Sequence, residues 1–217
     1  MNTQMKQEAL DVVIAELEKS LVVLQGNYQK AVSNLNQLRE CVSKDDLTRL
    51  LRRSVFMQRL ESLLFQAREE GREVHVLMVD VDHFKRVNDT HGHQTGDVVL
   101  QQISELITRY LRPGDLAGRY GGEELILAME GGTVEVQAIA DRIRQAVEGH
   151  SMKSRSSVEF SCTLSVGVAS ARKVGYGADI LIESADAALY RAKNSGRNRV
   201  ELAIKLDAAE AAKPRAA

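Results

Sequence analysis

Cysteines are few, net charge is close to zero and long apolar runs are absent, and each shortage excludes a class of protein. The two cysteines, Cys41 and Cys162, lie far apart and form no Cys-x-x-Cys spacing, which predicts free thiols in a reducing compartment. No stretch approaches the roughly 20 apolar residues of a membrane span, and the start of the chain is too polar for a signal peptide. The formal net charge of −1 argues against a nucleic-acid polymer or a membrane surface as the partner. We expect a cytoplasmic protein.

The first 44 residues carry a heptad repeat, within a chain of 217 residues that has room for one substantial domain and an appendage. The apolar positions step by four and three residues, which is typical of a left-handed coiled coil of few strands. We predict that residues 1–44 form a parallel coiled-coil dimer, and the alternative is one amphipathic helix lying on its own domain. The d positions are Leu10, Leu17, Leu24, Ala31 and Leu38, and the a positions are Ile14, Leu21, Tyr28, Leu35 and Val42.

Two adjacent glycines in mid-chain, Gly121 and Gly122, stand between two strand-like runs and predict a β-hairpin. Glycine reaches positive φ at little steric cost, and a bulky anion such as a triphosphate can approach a backbone that has no side chains. The next residues, Glu123 and Glu124, should point to opposite faces of the outgoing strand, so one of them can hold a metal. The alternative is a solvated hairpin with two surface glutamates.

An apolar run from Val74 to Val81 predicts a buried strand that ends on acids. Asp80, Asp82 and Lys85, with the backbone carbonyl of Val81, then lie at the mouth of that strand. Hard oxygen ligands and a cation in this arrangement can hold a Mg²⁺-nucleotide. The alternative is a capped strand end with a surface ion pair.

Helical and strand-like patterns alternate beyond residue 44, with the hairpin in mid-chain. This order predicts an α+β domain over residues 45–203, in which helices flank a central mixed sheet of the ferredoxin-like or polymerase-palm type. We expect residues 204–217 to be a disordered tail. The other expected elements are a helix through Phe56 and Leu64 that ends near Gly71, helices over Asp97–Leu111, Val134–Val147 and Asp179–Lys193, a loop over Gly149–Ser157, and strands over Val158–Ala169 and Arg199–Leu202.

Several separated motifs together resemble the GGDEF family of diguanylate cyclases, over about Asp45 to Leu202. The segment Gly121–Leu125 is similar to the family signature in its GGEEF form, with Leu125 where the family has phenylalanine. The other motifs follow the family's order, which makes coincidence improbable. They are DVDHFKRVND from Asp80, GHQTGD from Gly92 and LYRAKNSGRN from Leu189.

The resemblance implies that the protein is an enzyme that condenses two GTP molecules into cyclic di-GMP and releases two pyrophosphates. It implies that Asp80, Glu123 and the carbonyl of Val81 hold a pair of Mg²⁺ or Mn²⁺ ions across the phosphates. Glu124 would deprotonate the ribose 3′-hydroxyl or complete the metal shell. A homodimer is implied, because each subunit holds one GTP, and an upstream sensor domain would fit the coiled coil.

The same resemblance implies the contacts to GTP. Asn88 and Asp97 would read the base, since a carboxylate accepts from the N1–H and amino group of guanine, which adenine lacks. Gly121 and Gly122 would let the triphosphate approach the backbone. The phosphate contacts would come from the backbone N–H groups of His83 and Phe84 and from the side chains of Lys85, Lys193 and Arg197. For Lys193 and Arg197, the alternative is a charged helix end that complements the helix dipole.

A second site is implied by Arg112 and Asp115, which match the family's Arg-x-x-Asp inhibitory site. An arginine can fork onto a phosphate or the Hoogsteen edge of guanine, and an aspartate can take the base's donors. The implied outcome is product feedback, and the alternative is a surface ion pair at a helix end.

Three positions depart from the family pattern. Arg49 stands where the family has glycine and Arg52 where it has asparagine, which puts the wall of the guanine pocket in doubt. Leu125 should keep an apolar core contact.

His91 and His93 have a spacing that suits a metal, but they lie in the family's loop, and we assign them no ligand role. The other functions considered are a cyclic di-GMP-binding effector without activity and a different nucleotidyl cyclase on a related fold.

Overall fold

The computed structural model describes residues 16, 19–30, 43–153 and 159–204. The chain divides into two units, Met1–Ser43 and Lys44–Ala217. In the first unit, residues 19–30 are helical, and the predicted seam residues Leu21, Leu24 and Tyr28 are 60%, 70% and 71% exposed. The other seam positions and residues 205–217 of the predicted tail lie outside the described residues, so the coiled coil and the tail stay predictions. No described helix has the length and apolar character needed to cross a membrane.

The second unit is built on a six-stranded mixed sheet and a separate two-stranded sheet. The strands are β1 Leu51–Arg52, β2 Val74–Val81, β3 Leu116–Gly121, β4 Glu124–Glu130, β5 Met152–Lys153, β6 Glu159–Phe160, β7 Leu164–Ser170 and β8 Val200–Leu202. The order in the six-stranded sheet is β1-β3-β4-β2-β7-β8. The outer pairs β1–β3 and β7–β8 are parallel, and the inner pairs are antiparallel. The smaller sheet joins β5 and β6.

Helices cover both faces of the six-stranded sheet. Every residue of the central strand β2 is accordingly buried, and the side chains of this strand alternate between two cores. Leu77, Val79 and Val81 pack in one core and Val74, Val76 and Met78 in the other. The helices of this unit are α1 Arg53–Glu70, α2 Phe84–His91, α3 His93–Thr108, α4 Thr133–Glu148, α5 Ala171–Val174 and α6 Ala178–Asn194. Helices α2, α3 and α4 contribute to the first core, and α1 and α6 to the second. The predicted α+β fold is therefore confirmed.

Strand β7 and helix α6 pack backbone against backbone at Gly167. A Cβ atom at this position would overlap the carbonyl oxygen of Ala185 and the backbone nitrogen of Leu189. Any side chain there would push α6 away from the sheet. This close packing brings Lys193, in the last turn of α6, to the end of β2.

The sequence prediction was wrong for the strand Val158–Ala169. In the structure the chain pairs with β5 at Glu159–Phe160, leaves that sheet, and enters the main sheet only at Leu164. At the break, the N–H of Asp82 donates to the carbonyl of Thr163 at 3.0 Å. Part of the predicted loop, Met152–Lys153, is accordingly strand β5. The prediction also missed the short helix α2 and began α3 four residues late.

Candidate active site

Acidic residues of two neighbouring strands meet at one edge of the main sheet. Asp80, near the end of β2, pairs directly with Glu124, the first residue of β4. Between β3 and β4 the register shifts by a bulge, and Gly122 has a φ of 23°. This turn holds Glu123 at the tip of the hairpin, next to the end of β2.

Asp80 is buried and paired with a cation. Its carboxylate is 4% exposed, and its Oδ2 lies 2.7 Å from the Nζ of Lys193. Burial raises the pKa of Asp80 and the charge of Asp82 adds to this, whereas Lys193 and Arg197 lower it, with a net rise. The ionised carboxylate therefore still lacks part of the positive charge that would compensate it.

Glu123 is half-buried and lies close enough to Asp80 for the charge of that carboxylate to affect the pKa of Glu123. Burial is the main cause that raises the pKa of Glu123, the charges of Asp80 and Glu124 raise it further, and Lys193 lowers it. A divalent cation placed beside both carboxylates would favour their ionised forms, because its charge compensates the burial of each and the effect of Asp80 on Glu123.

The residues present fit a magnesium or manganese ion. In the part of the chain that the structure describes, no three acidic, histidine or cysteine side chains form a metal-binding group by themselves. Mg²⁺ commonly uses one or two carboxylates and takes its other ligands from water and substrate phosphates. Asp80 and Glu123, with the adjacent carbonyl of Val81, are a donor set of that kind.

Asp82 differs from Asp80, although both were placed at the mouth of the strand by the sequence. Its carboxylate is buried and accepts three hydrogen bonds. The donors are the hydroxyls of Thr163 at 2.7 Å and Ser165 at 2.6 Å and the backbone N–H of Asn198 at 3.0 Å. Asp82 therefore holds neighbouring segments together instead of facing a substrate.

The groups predicted to contact phosphates surround this edge from two sides. His83 has a φ of 57° and precedes α2, so the positive end of that helix dipole begins at Phe84. Lys85 is exposed on the first turn of α2. On the other side, Lys193 bonds to Asp80, and the exposed Arg197 is near enough to lower the pKa of Asp80.

The predicted base-reading residues lie on α2 and α3. Asn88 is held against Gly96, where a Cβ atom would overlap the Oδ1 of Asn88 and lie 3.0 Å from the Cζ of Phe84. The Oδ1 of Asn88 is buried and has no hydrogen-bond partner among the described residues. A buried amide oxygen without a partner is costly and fits an incoming donor, such as the amino group of a base. Asp97 is exposed one residue after Gly96.

Arg119 supports the glycine turn, a role that the sequence reasoning missed. Its Nε and Nη2 donate to the carbonyl of Gly122 at 3.1 and 2.9 Å, and its Nη1 lies 3.2 Å from Asp45. Asp45 also accepts from the N–H and hydroxyl of Thr48, both at 2.9 Å. Burial raises the pKa of Asp45, but the Thr48 hydrogen bonds and the Arg119 charge outweigh it and lower the pKa. The hairpin is thus tied to the start of the domain.

The departures from the family pattern have identifiable environments. Arg49 has a φ of 59°, in the left-handed region where glycine is favoured. Arg52 donates to the carbonyl of Lys44 at 2.7 Å and to Asp46 at 3.0 Å, so its guanidinium is engaged within its own segment. Leu125 is fully buried in the first core, as predicted.

The side chain of Arg112 forms a surface ion pair with Glu135, and Asp115 accepts a hydrogen bond from the backbone of Arg112. The N–H of Arg112 donates to the Oδ2 of Asp115 at 2.8 Å, and its Nη2 lies 2.6 Å from the Oε1 of Glu135. The side chain of Arg112 is 59% exposed, so a ligand can still reach it. Product binding here stays a prediction.

His91 stacks on Phe160 with ring centroids 4.5 Å apart, a packing role that the histidine spacing did not indicate.

A family model and named relatives match the sequence of this chain. The family model described as "Diguanylate cyclase, GGDEF domain" matches residues 42–199. Diguanylate cyclase A of Treponema denticola is 35% identical over 191 residues, which are 86% of this chain and 51% of that protein. The chain therefore spans about half the length of that relative.

Two solved structures are similar over most of the chain. The coiled coil and GGDEF domain of DgcB from Caulobacter crescentus, in complex with c-di-GMP, is 36% identical, with a TM-score of 0.77 over 86% of this chain and 99% of that one. Diguanylate cyclase SiaD from Pseudomonas aeruginosa, in complex with its activator SiaC, is 33% identical, with a TM-score of 0.80 over 92% and 76%.

Proposed function

Because the chain belongs to the GGDEF family of diguanylate cyclases, we propose that it condenses two GTP molecules into cyclic di-GMP and releases two pyrophosphates. The observation that carries this proposal is the pair Asp80 and Glu123 at one sheet edge, where burial raises the pKa of both carboxyls and the charge of Asp80 raises that of Glu123 further. Such a pair is unfavourable unless a cation joins it, which is the arrangement expected of a metal-nucleotide site.

In the proposed site, Asp80, Glu123 and the carbonyl of Val81 hold Mg²⁺ or Mn²⁺. When bound, the metal stabilises the attacking and leaving oxygens of the displacement. Glu124 pairs in register with Asp80, and it either accepts the proton of the attacking 3′-hydroxyl or completes the metal shell. In each of the two steps a 3′-oxygen bonds to an α-phosphorus, and the bond to pyrophosphate breaks.

The cations of the site neutralise the triphosphate in this proposal. Lys193 is bonded to Asp80 at 2.7 Å, and we propose that it turns from this carboxylate to the phosphates when nucleotide binds. Arg197 and Lys85 add charge from either side, and the N–H groups of His83 and Phe84 at the start of α2 act with Gly121 and Gly122 to bring backbone close to the phosphates. Compensating the charge of the leaving pyrophosphate lowers the barrier to its departure.

The base is read between α2 and α3. The buried Oδ1 of Asn88, which has no partner in the part of the chain that the structure describes, accepts from the amino group of guanine, and Asp97 accepts from the base's N–H donors. Adenine presents no such pair of donors on that edge, so the site should favour GTP over ATP.

Two subunits are needed, because one half-site cannot close a two-fold symmetric product. The heptad repeat of residues 1–44 would bring two domains together, and it would also transmit a change from an upstream sensor. The exposure of Leu21, Leu24 and Tyr28 in the single chain supports this role.

Product feedback is proposed at Arg112 and Asp115. Arg112 is bonded to Glu135, and cyclic di-GMP would replace that surface partner. DgcB, whose structure is in complex with c-di-GMP, is a similar protein that binds this ligand.

The test is to incubate the purified full chain with GTP and Mg²⁺ and to measure cyclic di-GMP and pyrophosphate. We expect both products in a 1:2 ratio, the ratio that follows from closing the ring with two phosphoryl transfers. Glu123→Ala should abolish them, and Glu105→Ala, which replaces an exposed glutamate on α3, should not. No product at high protein concentration would reject the proposal. Binding of cyclic di-GMP without turnover would identify the chain as an effector.

A further inference from the structure

The turn that follows α6 holds three successive residues in the left-handed region. Gly196 has a φ of 110°, Arg197 of 62° and Asn198 of 46°. Two of these residues are not glycine, and a side-chain-bearing residue adopts this conformation at a cost. The surrounding contacts must therefore compensate that cost if the turn is to persist.

Asn198 is held at three of its polar groups. Its backbone N–H donates to Asp82 at 3.0 Å, its Oδ1 accepts from the Nη1 of Arg144 at 2.7 Å, and its Nδ2 donates to the Oε1 of Glu148 at 2.6 Å. The Nε of Arg144 is itself bonded to Asp141 at 2.8 Å. The turn is thus fixed from the sheet by Asp82 and from helix α4 by Arg144 and Glu148.

The anchor on the sheet side is buried and held by further hydrogen bonds. Asp82 is 5% exposed, and it also accepts from the hydroxyls of Thr163 and Ser165. Asp82 also lies two residues after Asp80. One short segment therefore carries the carboxylate of the proposed metal site and the acceptor that fixes the turn.

Arg197 lies between these anchors and the end of α6. Its own N–H donates to the carbonyl of Ala192 at 3.0 Å. Its side chain is exposed and lies near enough to Asp80 to lower the pKa of that carboxyl. The backbone of Arg197 is thus fixed on both sides, while no hydrogen bond to a described residue holds its guanidinium.

We infer that Asn198 is a positioning residue, which Asp82 and the Arg144–Glu148 pair hold so that Arg197 meets the triphosphate. The inference rests on the proposed function, since it assigns Arg197 to the phosphates. Asn198 itself touches no substrate in this scheme and acts through Arg197.

The test uses four single variants of the full chain and measures the Kd for a non-hydrolysable GTP analogue with Mg²⁺ by calorimetry, beside kcat/KM for GTP. Asn198→Ala keeps the Cβ in a left-handed turn but loses the side-chain anchor, and we expect Kd to rise roughly 5- to 30-fold. Asn198→Gly tolerates the conformation and loses only the side-chain bonds, so a rise of roughly 2- to 10-fold is expected. Arg144→Ala removes one of those two bonds from outside the turn, so Kd should rise, but by no more than in Asn198→Gly. Gln145→Ala, an exposed neighbour on α4 that bonds to Asp141 and not to Asn198, is the control and should change nothing.

The decisive step is to repeat Asn198→Gly and Arg144→Ala in an Arg197→Ala background, with thermal melting to verify the fold. If Asn198 acts through Arg197, these changes should then leave Kd and kcat/KM within twofold of Arg197→Ala alone. Losses of the same size in both backgrounds would overturn the inference, as would single variants that bind like the unaltered chain. In either case the unaltered chain would still bind and convert GTP. Failure of the unaltered chain to bind the analogue would reject the proposed function as well.

Discussion

Replacing Gly96 by alanine should weaken GTP binding while leaving the fold about as stable as before. The new Cβ would overlap the Oδ1 of Asn88 and lie 3.0 Å from the Cζ of Phe84. The nearest obstacle is the end of a flexible side chain, so Asn88 can turn away. In a helix interior, alanine is favoured over glycine by about 1 kcal/mol, which offsets the lost contacts of Asn88 and Phe84.

The cost of this change should fall on the nucleotide. If Asn88 accepts a hydrogen bond from guanine, turning it away leaves a buried donor of the base unpaired, at about 1–3 kcal/mol or roughly 5- to 150-fold in Kd. Calorimetry with a GTP analogue and urea unfolding separate the two effects. Asn88→Ala should show the same loss of affinity, and the double variant should be no worse than either single one. Affinity equal to that of the unaltered chain in Gly96→Ala would refute the role given to Asn88.

Three further predictions concern charge and backbone. Glu123→Gln should stabilise the metal-free protein near neutral pH by less than about 1 kcal/mol. The pKa of Glu123 is raised in the folded protein, so its contribution to stability is present at low pH and is lost as pH rises through that pKa. Equal or lower stability of the variant in thermal melts at pH 7, or a gain that persists below pH 4, would contradict this. Lys193→Met should lower kcat/KM at least about 100-fold. It should also move the acid limb of the pH–rate profile to higher pH, because the pKa of Asp80 rises further without the Lys193 ammonium. An acid limb at the same pH as in the unaltered chain would contradict the ion pair between Lys193 and Asp80. Arg49→Gly should raise the free energy of unfolding by about 1 kcal/mol because φ is 59° there, whereas Arg49→Ala should not, and a gain for both would point to charge instead of backbone.

Local patterns predicted the parts of the fold that depend on local sequence. The apolar run Val74–Val81 became strand β2 with the predicted bounds. The predicted hairpin is present, although Gly121 ends strand β3 and the turn itself is Gly122 and Glu123. Both depend on periodicity or on glycine conformations, which neighbouring residues determine.

Contacts between distant segments could not be predicted from spacing. Asp82 bonds to Thr163, Ser165 and Asn198, which are 81, 83 and 116 residues away. The alternating pattern of Val158–Ala169 concealed the break at residues 161–163 for the same reason, because the chain leaves one sheet and enters another there. The family motif implied a phosphate contact for Lys193, but its ion pair with Asp80 was not predicted, since no periodicity joins residues so far apart.

The most direct test of the shared metal site is diffraction from crystals grown with Mn²⁺ and a non-hydrolysable GTP analogue. We predict anomalous density at ions bound by the carboxylates of Asp80 and Glu123 and by the carbonyl of Val81, with Lys193 moved from Asp80 to the phosphates. A nucleotide-bound structure in which Mn²⁺ contacts neither carboxylate, or in which Lys193 still bonds to Asp80, would contradict the account.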